Sequence, residues 1–107
     1  MTYRGFRSRS FERDVEAFAR YAAEYSESFA REQFTRLEKV LSIDLVQSPN
    51  TWPYFFVTGA PNRAYFFSVG RRTSFWIVYT VDEDLKRVDL LRFWNASRDT
   101  HSFNANP

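Results

Sequence analysis

The chain has 107 residues, a net charge of +2, no cysteine and an aromatic share of 20%. A length this short predicts one domain over residues 1–107, since chains usually divide only at about twice that size. The missing cysteines exclude disulfides, thiolate metal ligands and a thiol nucleophile.

No apolar run approaches the roughly eighteen residues that a membrane span requires. Met1-Thr2-Tyr3-Arg4 lacks a signal-peptide core, so a soluble, cytoplasmic protein is expected. Of the 15 basic residues, all but Lys39 and Lys86 are arginine. Arginine presents a planar fork suited to phosphate and carboxylate, and it stacks on bases. A genome that favours arginine codons explains the bias equally well.

In chain order, residues 3–9 alternate crudely and predict a short strand, with Tyr3, Gly5, Arg7 and Arg9 set against Arg4, Phe6 and Ser8. Ser10 is the expected N-cap of a first helix, with Glu12 and Asp14 placed to complement its dipole. Phe11, Val15, Phe18, Ala22 and Tyr25 then fall on one face, which predicts an amphipathic helix over 11–25. Ser26-Glu27-Ser28 offers a second cap. Phe29 or Ala30, Phe34, Leu37, Leu41 and Leu45 predict a second helix to about residue 46, stopped by Ser48-Pro49-Asn50. So short a break makes the pair an antiparallel hairpin.

Residues 49–62 are rich in turn formers, with one short extended piece expected at 54–57. Strands are predicted at 64–69, 74–81 and 87–94, joined by the turn Gly70-Arg71-Arg72-Thr73-Ser74 and by an acidic tip at Asp82-Glu83-Asp84. Alternation along the last strand sets Val88, Leu90, Arg92 and Trp94 on one face and Asp89, Leu91, Phe93 and Asn95 on the other. The order is β-α-α-β-β-β, an α+β fold. The helix hairpin packs on one face of a small, mainly antiparallel sheet and leaves the other face exposed or concave.

Familiar catalytic motifs are missing: there is no Gly-rich phosphate loop, no paired-histidine metal spacing and no Gly-x-Ser-x-Gly. Neither a cofactor nor a metal is expected, and the adjacent carboxylates 82–84 read as a solvated tip. Arg63, Arg71, Arg72, Arg92 and Arg98 lie in or beside the predicted sheet, with Tyr65, Tyr79, Trp94 and Phe103 near them in sequence. Such a surface could hold a nucleic-acid strand by phosphate pairing and base stacking. The alternative is a solvated face with the arginines paired to Asp82, Asp89 or Asp99. His101 could move a proton near neutral pH, with Arg98 beside it to stabilise an anion.

Four stretches together resemble the RelE/ParE toxins of bacterial type II toxin–antitoxin pairs. They are Phe11-Glu12-Arg13-Asp14 with Leu45 to Pro49, then Ile77-Val78-Tyr79-Thr80-Val81-Asp82, then Asn95-Ala96-Ser97-Arg98-Asp99 at the position of the family's His-x-x-Arg-Asp ending. The resemblance implies a growth inhibitor held inactive by a cognate antitoxin, alone or in a larger oligomer with it. RelE-type members cleave mRNA on the ribosome, and ParE-type members poison DNA gyrase without catalysis. A third possibility is a binding member that has lost toxicity. For mRNA cleavage the resemblance points to Arg98 and Arg92 on the scissile phosphate and His101 as general acid. Arg63, Arg71, Arg72, Tyr79, Asn95 and Phe103 would then contact substrate. Trp76 stands where the family has an arginine, and Asn95 where it has a histidine, so Arg98 alone occupies a matching basic position.

Overall fold

The computed structural model describes residues 2–55, 61–71 and 73–98. Its elements are β1 (Arg4–Arg7), α1 (Arg9–Tyr25), α2 (Glu27–Lys39), β2 (Arg63–Val69), β3 (Thr73–Asp82) and β4 (Arg87–Asn95). The predicted α+β order is therefore the observed one. The sheet runs β1-β4-β3-β2, with β1 parallel to β4 and the other two pairs antiparallel.

Helix α1 begins two residues earlier than the periodicity suggested. Its N-cap is Ser8, not Ser10: the Ser8 hydroxyl accepts from the Phe11 N–H at 3.0 Å and donates to the Leu91 carbonyl at 3.0 Å. Both serines satisfy the local rule, and the sheet decides between them. Ser26 ends α1 and caps α2, accepting from the Phe29 N–H. Beyond Lys39 the helix widens into a π-helical turn, Val40–Asp44, and closes with Leu45–Gln47, where Leu45 and Val46 are both buried. No described helix is long and apolar enough to cross a membrane.

The core lies between the helix hairpin and one face of the sheet. Phe11, Phe18 and Ala22 of α1 and Leu37, Val40, Leu41 and Leu45 meet Phe67, Val69, Phe75, Ile77, Tyr79, Val88, Leu90 and Phe93. Phe93 is its aromatic centre, stacked on Phe75 at 4.4 Å and approached by Phe18 at 5.3 Å and Phe67 at 6.0 Å. Tyr25 does not join this face. It is 72% exposed, with its ring against those of Tyr21 and Phe29 at the hairpin tip.

Two further expectations are corrected. Strand β4 does not alternate evenly, because its register on β3 passes from Tyr79↔Leu90 to Val78↔Arg92 and leaves Leu91 as the extra residue of a bulge. Val88, Leu90 and Phe93 thus share the helix-facing side, and Arg92 and Trp94 pair with Val78 and Trp76 on the other. That outer face is also partly covered. Phe55 packs on Ala64, Val78 and Trp76, drawn in by the bonds Phe55 N–H to Asn62 carbonyl and Ala64 N–H to Pro53 carbonyl.

Candidate functional site at the end of the last strand

Strand β1 is too short to pair with all of β4. It ends at Arg7 opposite Leu90, and the next residue donates its backbone N–H to the Leu90 carbonyl. From the bulge onward the edge of β4 needs another partner, and Asp14 on α1 supplies one. One of its oxygens accepts from the Phe93 N–H at 3.0 Å and from Arg92 Nε at 2.7 Å, and the other accepts from Arg92 Nη2 at 3.0 Å. The side chains of this bidentate pair are only 15% and 16% exposed. Asp14 therefore closes a strand edge and fixes a guanidinium with one carboxylate.

The fixed guanidinium lies 5.0 Å from the Trp94 ring, and the Arg98 guanidinium lies 4.2 Å from the same ring. Two cations thus share one indole, and Trp94 is buried beneath them. The strand then turns. The Asn95 side-chain oxygen accepts from the N–H and the hydroxyl of Ser97, and the Arg98 N–H donates to the Asn95 carbonyl. This turn brings Arg98 to the rim of a cleft of about 390 Å³ between α1 and the ends of β3 and β4. Phe18, Phe75 and Phe93 form its apolar side, and Asp14, Tyr21, Thr73 and Asn95 bring polar groups to it. The cleft suits an extended or planar group with an anionic end facing Arg98.

Of the residues singled out by sequence, Arg92, Asn95 and Arg98 are brought together here. Arg63 and Tyr79 lie elsewhere and serve the fold. Tyr79 has no exposed surface, and its hydroxyl donates to the Pro49 carbonyl at 2.6 Å. Burial pushes its phenol well above the ordinary range, with the Arg63 charge opposing the rise. Arg63 donates to the Trp52 carbonyl and the Tyr54 hydroxyl and stacks on the Tyr54 ring at 4.2 Å. Together these two pin residues 49–54 to the sheet. Arg71 is exposed in the β2–β3 turn and lines a second cleft of about 320 Å³ with Tyr21, Tyr25 and Phe29. Arg72, His101 and Phe103 lie outside the described residues.

Sequence reasoning treated Asp14 only as a favourable charge in a helix's first turn. Its real partner is 78 positions away, and nothing local signals that. Arg92, expected to pair if at all with Asp82, Asp89 or Asp99, pairs with Asp14, and Asp89 is taken by Arg87 at 2.9 Å. Among the described residues no group of three metal-ligating side chains comes together.

At the acidic tip, Glu83 is not simply solvated. Its carboxylate accepts from Asn50 Nδ2 at 2.6 Å, from the Tyr3 hydroxyl at 2.8 Å and from Lys86 Nζ at 3.0 Å. The Asn50 bond first, then Tyr3 and Lys86, hold its pKa down to about 2 from 4.5. Its folded value lies below its unfolded one, so the stabilisation is complete above about pH 4.5 and is lost as pH falls towards 2. A carboxyl-carbon NMR titration of Glu83 is expected to show a midpoint near 2. Glu83→Gln should remove that part of the acid dependence of stability, and a midpoint near 4.5 would contradict the assignment.

Compared with known proteins, the chain matches no family model, and no curated protein aligns with it significantly in sequence.

Proposed function

We propose that this protein is a growth-inhibiting toxin of the RelE/ParE kind, acting in the cytoplasm and neutralised by a cognate antitoxin. Its target-binding surface is the end of β4, where Arg92 and Arg98 share the Trp94 ring. The observation that carries the reading is this exposed cationic turn beside an open cleft. It falls on the Asn95 to Arg98 stretch that resembles the family's ending, in a chain with the β-α-α-β-β-β order that the resemblance implies.

Two routes to inhibition differ in what they ask of these residues. In mRNA cleavage, Arg98 and Arg92 would hold the scissile phosphate and His101 would protonate the leaving oxygen. In a non-enzymatic route, such as binding DNA gyrase, the turn and its cleft need only dock a target. The bidentate Asp14–Arg92 pair favours the second route: a guanidinium already holding a carboxylate is a poor additional phosphate ligand.

Expression without its partner tests both. Growth arrest with intact transcripts and halted replication supports target binding, and arrest with transcripts cut on translating ribosomes supports cleavage. Under either route Arg98→Ala is expected to relieve arrest at an unchanged protein level. Full toxicity of Arg98→Ala would sink the site, and unimpaired growth on induction of the wild-type chain would sink the toxin reading.

A further inference from the structure

The other end of β4 carries a second cluster of arginine and aromatic side chains, and neither the fold nor the Arg98 turn makes use of it. All four residues of β1 are exposed. In its pairing with β4, Arg4 lies opposite Arg87 and Phe6 opposite Asp89. Gly5 faces Val46 on the helix side, so Arg4 and Phe6 point to the outer face. There Phe6 keeps 42% of its surface exposed. The Arg87 guanidinium lies 4.7 Å from its ring centre and the Arg4 guanidinium 5.6 Å.

A single exposed phenylalanine is ordinary. Two guanidiniums gathered on it are less so, because like charges facing each other on neighbouring strands are unfavourable. Asp89 answers Arg87 at 2.9 Å, while Arg4 makes no ion pair among the described residues. The cluster therefore holds uncompensated positive charge against a flat apolar surface. Beside it lies a concavity of about 380 Å³, lined by Phe6, Arg7, Thr80, Arg87, Asp89 and Leu91 among others.

We propose that this outer-face cluster binds single-stranded nucleic acid, with Phe6 stacking a base and Arg4 holding a flanking phosphate. Arg87 engages Asp89 through Nε alone and stays exposed where Arg92 is doubly held and enclosed, so it offers its terminal nitrogens to the next phosphate. An acidic peptide would use the charges and leave the ring idle. A nucleotide uses both, because its base has a π-face for the ring or for a guanidinium plane and its phosphate matches the guanidinium fork. Backbone phosphate and base are common to RNA and DNA, so the geometry defines the chemistry and leaves the source to experiment. The surface is separate from the Arg98 turn, and binding there does not require the protein to be toxic.

Fluorescence anisotropy of the whole protein with labelled oligouridylate and oligothymidylate, across a salt series, tests the assignment. Saturable binding that weakens with salt is expected for at least one strand, and the stronger of the two identifies the source. Phe6→Ala and Phe6→Leu are each expected to weaken binding about tenfold with the salt slope unchanged, while Phe6→Tyr retains it. Arg4→Ala should lower the salt slope by about one. Arg31→Ala, on α2 and paired with Glu27, should leave binding as it is. The exposed position of Phe6 keeps the variants folded, which a thermal melt checks. Absence of saturable binding, wild-type affinity in Phe6→Leu, or full displacement by an oligoglutamate peptide would overturn the proposal. A toxic protein that fails this assay loses the nucleic-acid site but keeps the toxin reading, and a non-toxic protein that passes it does the reverse.

Discussion

Phe93→Ala is expected to cost about 4 kcal/mol of folding stability, read as a fall in the urea midpoint at unchanged slope. Phe93 is 3% exposed and touches rings from three directions. Phe75 stacks on it from the neighbouring strand with planes 11° apart, Phe11 and Phe18 meet it from α1, and Phe67 reaches it from β2. Truncation removes the transfer free energy of a ring and opens a cavity whose walls belong to three different elements, so no single side chain can swing in to fill it. Domains of this size are stable by only about 5–15 kcal/mol, so the loss takes a large share of the total and lowers Tm by about 15–30 °C. Phe93→Leu keeps most of the volume and should cost about half as much. A loss below about 1 kcal/mol for the alanine variant would mean that the aromatic cluster is not the centre of the core.

Asp14→Ala is the second large effect, about 3 kcal/mol, and it has a different origin. Removing the carboxylate leaves the Arg92 guanidinium mostly enclosed with its ion pair gone, and strips the Phe93 N–H of its acceptor at the open edge of β4. Most of the cost is the penalty for burying a guanidinium that has lost this carboxylate and for the Phe93 N–H left without its acceptor, not the worth of the pair itself. Asp14→Asn retains one acceptor oxygen and should lie between wild type and alanine. The test is a double-mutant cycle with Arg92→Met. The coupling energy should exceed about 1 kcal/mol, and the double variant should recover part of the loss because no buried charge remains. Simple additivity would show that Arg92 is held by something other than Asp14. The same variants report on function, since the pair positions the indole on which Arg98 rests.

The pattern of elements was largely legible because periodicity is local. Apolar residues three and four apart mark the helices, β-branched and aromatic runs mark the strands, and Ser48-Pro49-Asn50 marks the stop. The candidate site was legible only as a residue inventory. Arg98 and Asn95 could be named from the stretch that carries them, but the inventory could not separate a surface arginine from one committed to a carboxylate. Arg92 belongs to the second kind, and Tyr79, named beside it, is a core residue. Arg4, Phe6 and Arg87 were not singled out at all, because Phe6 and Arg87 are 81 positions apart in sequence and meet only across the parallel β1–β4 pair.

By itself, then, the sequence determined the order β-α-α-β-β-β, the amphipathic hairpin and the polar tip of the last two strands. Each of these follows from free energies that depend on neighbours a few residues away. Tertiary structure alone decided which of two serines caps the first helix, since only Ser8 also reaches the Leu91 carbonyl. It decided that Tyr25 stays mostly in solvent, because burial depends on how closely another element approaches, which helical periodicity does not record. It also decided which way Arg92 and Trp94 point. A one-residue bulge at Leu91 reverses the alternation of everything after it, and bulges arise from the fit between strands, which no single strand encodes.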